Sequence, residues 1–226
     1  LRGVLAILLV IASFSLCAEN RTIASASEPD YPPLSMKGDD GAVTGFAVEL
    51  LKESLAAVGH SVSFEMGKWN DIKQQLARGE VQVLPLVGRT PEREDIFDFT
   101  FPYLALRGTI VVRKDNSAIH SREDLSNATI AVMEGDNAHE YALRYKLGRE
   151  IVALSSFEDA LKGLAAKKYD AVIIQKLLAL QLMNRLDLEQ ALVSVGPPLE
   201  GFVQRFCFAV QEGDHETLSL LNEGLS

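Results

Sequence analysis

The chain has 226 residues, 47% of them hydrophobic, so it is long and apolar enough for one large or two small domains with a real core. Its 31 acidic and 22 basic side chains give a formal net charge of -9, and an acidic surface argues against a nucleic-acid partner, which requires clustered Lys and Arg. The sequence contains no zinc-type Cys/His spacing, no phosphate-binding loop and no internal repeat, so it predicts neither a metal nor another cofactor.

The N-terminal segment indicates an extracytoplasmic protein. After Arg2, residues 3–18 form an uncharged apolar run, shorter than the roughly 20 residues of a membrane-spanning helix, and this pattern is typical of a secretory signal peptide. Cleavage after Ala18 would remove Cys17 and leave Cys207, whose apolar neighbours predict a buried core residue. The alternatives are an uncleaved membrane anchor or lipid attachment at Cys17. Either would tether a periplasmic domain to the inner membrane.

Short apolar runs rich in β-branched residues alternate along the chain with segments of helical periodicity, which is typical of an α/β fold. In chain order, the predicted strands are residues 21–24, 61–64, 81–87, 109–113, 129–133, 171–174 and 206–210. The predicted helices are residues 46–58, 71–78, 138–145, 157–166, 177–186 and 216–225. Ser156 and Asp159 form a capping-box pair that predicts the start of the fourth of these helices.

A series of motifs follows the chain from residue 30 to residue 172. The motifs are Asp30-Tyr31-Pro32-Pro33, Gly45-Phe46-Ala47-Val48-Glu49-Leu50, Trp69, Thr90-Pro91-Glu92-Arg93, Asp98-Phe99-Thr100-Phe101-Pro102-Tyr103, Glu123-Asp124-Leu125, Ile130-Ala131-Val132 with Gly135, and Tyr169-Asp170-Ala171-Val172. In this order and spacing they resemble the bacterial family 3 extracellular solute-binding proteins, and the resemblance covers residues 21–226.

The resemblance implies an α/β fold of the type II periplasmic-binding-protein class. This fold is a Venus flytrap, in which two lobes close by hinge motion around a small-molecule ligand. The two hinge crossovers would lie near residues 108–112 and 193–198. The first lobe would then contain residues 21–107 and 197–226, and the second lobe residues 108–196. The implied activity is reversible binding, not catalysis.

Arg93 matches the family arginine that grips the carboxylate of the ligand. A guanidinium suits this role because its planar fork of N–H donors pairs with both oxygens of a carboxylate. Thr90 as N-cap and Pro91 at the first helical position predict a short helix that would hold the arginine firmly. The alternative is an exposed helix arginine that pairs with Glu94 or Asp95.

Five further residues match positions that contact ligand in the family. Asp136 and Asn137 begin the second-lobe helix, where backbone N–H groups can bind an anion, although both could be a plain N-cap pair. Tyr31 and Trp69 match aromatic walls of the cleft, with an ordinary core position as the alternative. Glu28 matches an acidic position that contacts ligand side chains in some relatives, with a solvated loop acid as the alternative.

Two positions depart from the family pattern. Gln175 stands where many members have an aspartate that accepts the ligand ammonium, and an amide compensates poorly for the lost hydration of a buried ammonium. Gly88 ends a strand where small and hydroxyl-bearing residues are usual, so only its backbone groups remain to contact a ligand. These departures predict an acid or a less polar solute rather than a standard L-α-amino acid in the usual pose.

Several roles stay open. Residues 84–93 and 206–210 look most like the periplasmic sensor modules of membrane histidine kinases, and free-standing transport proteins of the family normally continue beyond their last helix. We therefore expect a sensor domain whose partner is the membrane portion of a receptor. The first alternative is the substrate-binding protein of an ABC-type amino-acid transporter, whose partner is a permease. The second is a cyclohexadienyl-dehydratase-like enzyme, for which Glu28 and Asp136 form the one candidate acid–base pair.

Overall fold

The computed structural model describes residues 20–226, so the predicted signal peptide and Cys17 lie outside the described residues. The strands are β1 (Thr22–Ser27), β2 (Asp30–Tyr31), β3 (Ser35–Lys37), β4 (Val43–Thr44), β5 (Ser61–Met66), β6 (Leu84–Gly88), β7 (Phe97–Phe99), β8 (Leu104–Arg113), β9 (Thr129–Met133), β10 (Glu150–Leu154), β11 (Ala171–Gln175), β12 (Leu192–Val195) and β13 (Val203–Gln211). The helices are α1 (Phe46–Ala57), α2 (Trp69–Ala77), α3 (Pro91–Glu94), α4 (Asn137–Arg144), α5 (Phe157–Ala165), α6 (Lys176–Arg185) and α7 (His215–Gly224), with a 3₁₀ turn at Glu123–Asn127.

The largest sheet has eight strands, in the order β10-β9-β11-β8-β13-β6, with β12 paired to β8 and β7 paired to β13. Strand β8 joins the two halves of this sheet. Its residues 104–107 pair with β13, whereas its residues 108–111 pair with β11. Strands β9, β10 and β11 run parallel to one another, and β8 runs antiparallel to β11, β12 and β13.

The elements fall into two α/β lobes on either side of β8. We call β1–β7, α1–α3, β13 and α7 the first lobe, and β9–β12 and α4–α6 the second lobe. In the first lobe, β1 and β5 form a separate parallel pair, which touches the stretch before β6 through a bridge between Ser25 and Val83. The residues at which the chain was expected to change lobe, 107/108 and 196/197, stay predictions.

Apolar side chains form a core that continues through both lobes. The whole of β11 is buried between helices of the second lobe, and Cys207 of β13 is a buried free thiol in the first lobe, as its apolar neighbours predict. A smaller cluster lies beneath α1 and α7 and contains Ile23, Leu51, Leu55, Val83, Phe208, Val210 and Leu221. None of the helices within residues 20–226 has the length and apolar character needed to span a membrane.

The segment that leads into β13 touches β8 at Gly108. The Gly108 N–H donates to the carbonyl of Phe202 at 3.1 Å, and the Leu199 N–H donates to the carbonyl of Gly108 at 3.2 Å. A Cβ added at residue 108 would lie 1.9 Å from Cδ1 of Phe202, whose ring stacks on Tyr141 with centroids 4.9 Å apart. This close approach requires glycine at residue 108.

Each predicted strand and helix has a counterpart, but three strand starts are wrong by three residues or more, including that of β13, which begins at Val203 rather than Phe206. The strand expected at 81–87 begins only at Leu84, and the one expected at 109–113 begins at Leu104, where alternate residues are more exposed. The sequence does not predict β2, β3, β4, β7, β10 or β12, because these strands have only two to five residues and weak apolar patterns. Ser156 caps α5 as predicted, accepting a hydrogen bond from the Asp159 N–H at 3.1 Å.

Candidate ligand-binding site

A small cavity lies where the two lobes meet. Its volume is about 10 Å³, room for roughly one water molecule. Six of the eight residues predicted for the site line it, and the lining set is Glu28, Tyr31, Trp69, Leu86, Gly88, Arg93, Asp136, Gln204 and Phe206. The other two predicted residues, Asn137 and Gln175, lie directly behind this lining and are buried. The structure therefore brings all eight together in a closed cleft, and their contact with a ligand stays a prediction.

Arg93 is the central cation of the cleft and is only 2% exposed. Its Nε donates to Oε1 of Glu140 at 2.9 Å, and its two terminal nitrogens donate to the carbonyls of Gly88 and Gly135 at 3.0 Å each. Gly88 belongs to the first lobe, whereas Gly135 and Glu140 belong to the second. The guanidinium therefore links the two lobes directly.

The short helix α3 positions this arginine. Pro91 occupies its first turn as predicted, but Thr90 makes no side-chain capping hydrogen bond, so only its extended backbone serves as N-cap. The alternative of an exposed arginine paired with neighbouring acids is wrong for Arg93. That description fits Arg89 instead, which is exposed and pairs with Glu94 at 2.7 Å.

Two aromatic side chains wall the cleft beside the arginine. The indole Nε1 of Trp69 donates to the Gly135 carbonyl at 2.8 Å, and its ring lies 5.0 Å from the Arg93 guanidinium carbon, in cation–π range. Tyr31 is buried and meets Phe157 of the second lobe edge-on at 6.4 Å between centroids. Both aromatics are core residues and cleft walls at the same time, so the two readings of the sequence do not exclude each other.

Asp136 places a carboxylate at the head of α4. Its Oδ1 accepts from the Ala138 N–H at 2.8 Å, which caps the helix, and from Nε2 of Gln175 at 3.1 Å. The same Gln175 amide donates to the side-chain carbonyl of Gln204 in the first lobe. Burial raises the pKa of Asp136, opposed by the Ala138 hydrogen bond and the positive charge of Arg93. This part of the cleft therefore contains a carboxyl group, that of Asp136, even though residue 175 is a glutamine.

Glu28 is a second buried acid in the same cavity. Its pKa is raised from 4.5 to about 8, mainly by burial and also by the negative charges of Asp136 and Asp30, against the opposing positive charge of Arg93. The Glu28 carboxyl is accordingly protonated at neutral pH, and at that pH it offers a neutral O–H donor. The alternative of a solvated loop acid is wrong, since the side chain lies in the lining of the cavity.

Gly88, at the end of β6, lies close to the start of α4 in the second lobe. A Cβ added there would lie 2.6 Å from Nδ2 of Asn137 and 2.6 Å from Nε2 of Gln204. The absence of a side chain lets the second-lobe Asn137 pack against the first-lobe strand. The Gly88 carbonyl is then free to accept from Arg93, in line with the expectation that only backbone groups act at this position.

The sequence reasoning missed two residues of the site, Glu140 and Gln204. Glu140 lies on α4, four residues and about one turn beyond the N-cap Asp136, and its carboxylate reaches Arg93 of the first lobe. Gln204 and Phe206 are two residues apart on β13, which places both side chains on the same face of the sheet. Two sequence features could have revealed these residues: Glu140 is an acid one turn after a helix N-cap, and Gln204 is a glutamine inside a mainly apolar strand.

A wider cavity of about 320 Å³ opens next to this one and also lies between the lobes. It shares Glu28 and Trp69 with the small cavity and is otherwise lined by Pro29, Asp30, Met66, Gly67, Lys68, Met133, Ser155 and Ser156. Its mixed lining of methionine, tryptophan, hydroxyl and charged groups could accommodate a side chain of moderate polarity.

Comparison with known proteins identifies the family. The sequence model of the bacterial extracellular solute-binding proteins, family 3, matches residues 23–226. The chain belongs to this family. It is 26% identical over 210 residues to the L-cystine-binding protein of Escherichia coli, covering 92% of this chain and 77% of that protein. It is 26% identical over 234 residues to the L-arginine-binding protein of Pseudomonas aeruginosa, covering 97% and 87%.

Among solved structures, this family 3 protein is similar to a histidine kinase sensor domain that resembles periplasmic binding proteins. The TM-score is 0.85 at 30% sequence identity, and the match covers 91% of this chain and 89% of that one. The predicted two-lobed type II fold is confirmed. Membership of an extracellular solute-binding family implies an extracytoplasmic location. The curated relatives named above are binding proteins rather than enzymes.

Proposed function

We propose that this family 3 protein binds a small, amino-acid-like solute as the sensor domain of a membrane receptor such as a histidine kinase. The observation that carries the proposal is the buried guanidinium of Arg93 between the lobes, in one cavity with the carboxylate of Asp136. An arginine fork and a carboxylate in one partly apolar cleft match the two charged ends of an α-amino acid. The sensor role draws its support from the likeness to a histidine kinase sensor domain.

In this proposal Arg93 binds the ligand carboxylate and Asp136 accepts the ligand ammonium. Asp136 thus takes the role of the aspartate that many family members have at the position of Gln175. The rings of Trp69 and Tyr31 cover the apolar part of the ligand. A cavity of about 10 Å³ cannot hold an amino acid, so binding requires the lobes to open first. The neighbouring cavity of about 320 Å³ would receive the side chain of the ligand.

A second candidate is the substrate-binding protein of an ABC-type amino-acid transporter, favoured by the L-cystine- and L-arginine-binding relatives. Both candidates share the binding step and differ in the partner. Crosslinking in native membranes, followed by identification of the recovered protein, separates them. A sensor domain would be recovered as part of a receptor, whereas a transport protein would be recovered bound to a permease. No catalytic step is proposed for the pair Glu28 and Asp136.

Replacing Arg93 with lysine should weaken binding of the preferred amino acid by about tenfold or more. Lysine keeps the charge but loses the planar fork, and a hydrogen bond to a charged group contributes about 1.5–3 kcal/mol. A thermal-shift screen of the standard amino acids and L-cystine first identifies the ligand, which at a hundred times its Kd should add about 2.7 kcal/mol of stability. Calorimetric titration then gives Kd for the parent and the variant.

The matched control is Arg89→Lys, because Arg89 is exposed on the same segment and pairs with Glu94. Its Kd should equal that of the parent. Two results would count against the proposed function: the absence of any amino acid that stabilises the parent, or equal affinity in the parent and the Arg93→Lys protein.

A further inference from the structure

The partner that Arg93 has in the second lobe is itself a carboxylate. The Arg93 side chain is 3% exposed and that of Glu140 is 16% exposed, so the ion pair between them is largely shielded from water. Oε1 of Glu140 accepts from Nε at 2.9 Å, and Oε2 is buried without a hydrogen-bond partner in the described part of the chain. Glu140 therefore occupies the Nε edge of the guanidinium, where a ligand carboxylate would otherwise bind side-on.

A second ion pair lies beside the first with the charges reversed. Arg144 donates from Nε to Oε1 of Glu92 at 3.0 Å, and from a terminal nitrogen to the same carboxylate at 2.6 and 2.5 Å. Glu92 and Arg93 are consecutive on α3, whereas Glu140 and Arg144 are one turn apart on α4. Helices α3 and α4 thus face each other with complementary charges, one pair buried and one half-exposed.

These contacts compete with a ligand for the same space and the same donors. Helix α3 belongs to the first lobe and α4 to the second, so both ion pairs exist only when the cleft is shut. An α-amino acid needs far more room than the cavity of about 10 Å³, so its admission breaks the pair between Arg93 and Glu140. The affinity for a ligand is reduced by whatever fraction of the protein is held in this shut form.

We propose that Glu140 is an internal competitor for Arg93, which keeps the lobes shut and selects ligands whose carboxylate can displace its own. The pair of Glu92 and Arg144 acts as an outer latch on the same closure. Selection of a carboxylate ligand rests on the proposed function, whereas the self-closure stands on the contacts between α3 and α4 alone.

The self-closure is tested without any ligand. Spin labels on cysteines introduced at Glu53 of α1 and Gln181 of α6, both exposed and in different lobes, report the interlobe distance. The native Cys207 stays unlabelled because it is buried, and burial raises its pKa to about 11. Glu140→Gln should shift the distance distribution toward longer values, with a roughly tenfold rise in the open fraction.

The matched control is Glu134→Gln, which removes the same charge from an exposed acid near the same turn of the second lobe. It should leave the distribution unchanged. For the outer latch, Glu92→Arg and Arg144→Glu should each open the cleft, and the two together should restore the parental distances. If Glu140→Gln and Glu140→Ala both keep those distances, the proposal is overturned.

The competition is tested by titrating parent, Glu140→Gln and Glu134→Gln with L-arginine and L-cystine. Loss of the competing carboxylate should tighten binding to Glu140→Gln by about tenfold, and Glu134→Gln should match the parent. Equal or weaker affinity of Glu140→Gln would refute the competitor role. If none of the three proteins binds either amino acid, neither is the ligand; the thermal-shift screen then decides the proposed function, and the distance measurements decide the self-closure by themselves.

Discussion

Replacing Gly108 with alanine should lower the free energy of unfolding by about 3 kcal/mol or more, at the upper end of the range for overpacked cores. The added Cβ would lie 1.9 Å from Cδ1 of Phe202, far inside van der Waals contact. Neither partner can move freely, because Gly108 is fixed by backbone hydrogen bonds to Phe202 and Leu199, and the Phe202 ring is stacked on Tyr141. Urea unfolding followed by circular dichroism measures the loss.

A double-mutant cycle assigns that loss to the clash. Phe202→Ala alone should cost about 3–5 kcal/mol because it leaves a cavity beneath Gly108. In the Phe202→Ala background the ring is gone, so adding Gly108→Ala should cost only about 1 kcal/mol or less. An equal cost of Gly108→Ala in both backgrounds would mean that the ring is not the cause.

Replacing Glu28 with glutamine should stabilise the protein increasingly as the pH rises from about 4.5 to 8. Burial raises the pKa of Glu28 from 4.5 to about 8, so the folded protein keeps its proton where the unfolded chain has lost it. The parental carboxyl therefore favours the folded state fully below pH 4.5, and this contribution is lost as the pH approaches 8. An amide does not titrate, so the variant gains by up to about 1.4 kcal/mol per pH unit, or roughly 2.5 kcal/mol between pH 5 and 7.

Urea unfolding of the parent and the variant at pH 5, 6 and 7 measures this difference. Glu53→Gln, at an exposed position of α1, gives the baseline for exchanging a carboxyl for an amide. Asp136→Asn should change in the same direction as Glu28→Gln, since burial also raises the pKa of Asp136, and asparagine still caps α4. Parallel stability profiles for the parent and Glu28→Gln would refute the buried position of this acid.

Sequence reasoning predicts the candidate site best at positions where the residue type and its neighbours indicate a single structural role. The family resemblance singles out Arg93 and Asp136, and local rules predict the helix starts that carry them, with Pro91 in the first turn of α3 and Asp136 as the N-cap of α4. Glycine at residue 88 departs from the family pattern, and the structure supplies the reason, since a side chain there would collide with Asn137 and Gln204. Such a reason needs the packing of two lobes, which no single stretch of sequence contains.

Contacts between distant segments explain what sequence reasoning missed. Glu140 reads as an ordinary helix acid until the fold brings Arg93, 47 residues away in the chain, to its carboxylate. The expectation of a missing ammonium acceptor at Gln175 stays a prediction, and sequence reasoning did not see that Asp136 lies against the Gln175 amide from 39 residues away. Strand β12 likewise depends on a distant partner, β8, whereas β2, β3 and β4 pair with one another locally and were missed because each has only two or three residues.

Strand β8 passes without interruption from one lobe to the other, paired first with β13 and then with β11. A sliding movement of the lobes would break this ladder of backbone hydrogen bonds, whereas bending and twisting of a narrow ribbon keep it intact. We therefore expect this connection to resist sliding of the lobes and to permit their rotation. If the lobes close around a solute as proposed, the angle between them differs between the empty and the occupied cleft, and a neighbouring domain would have to read that angle.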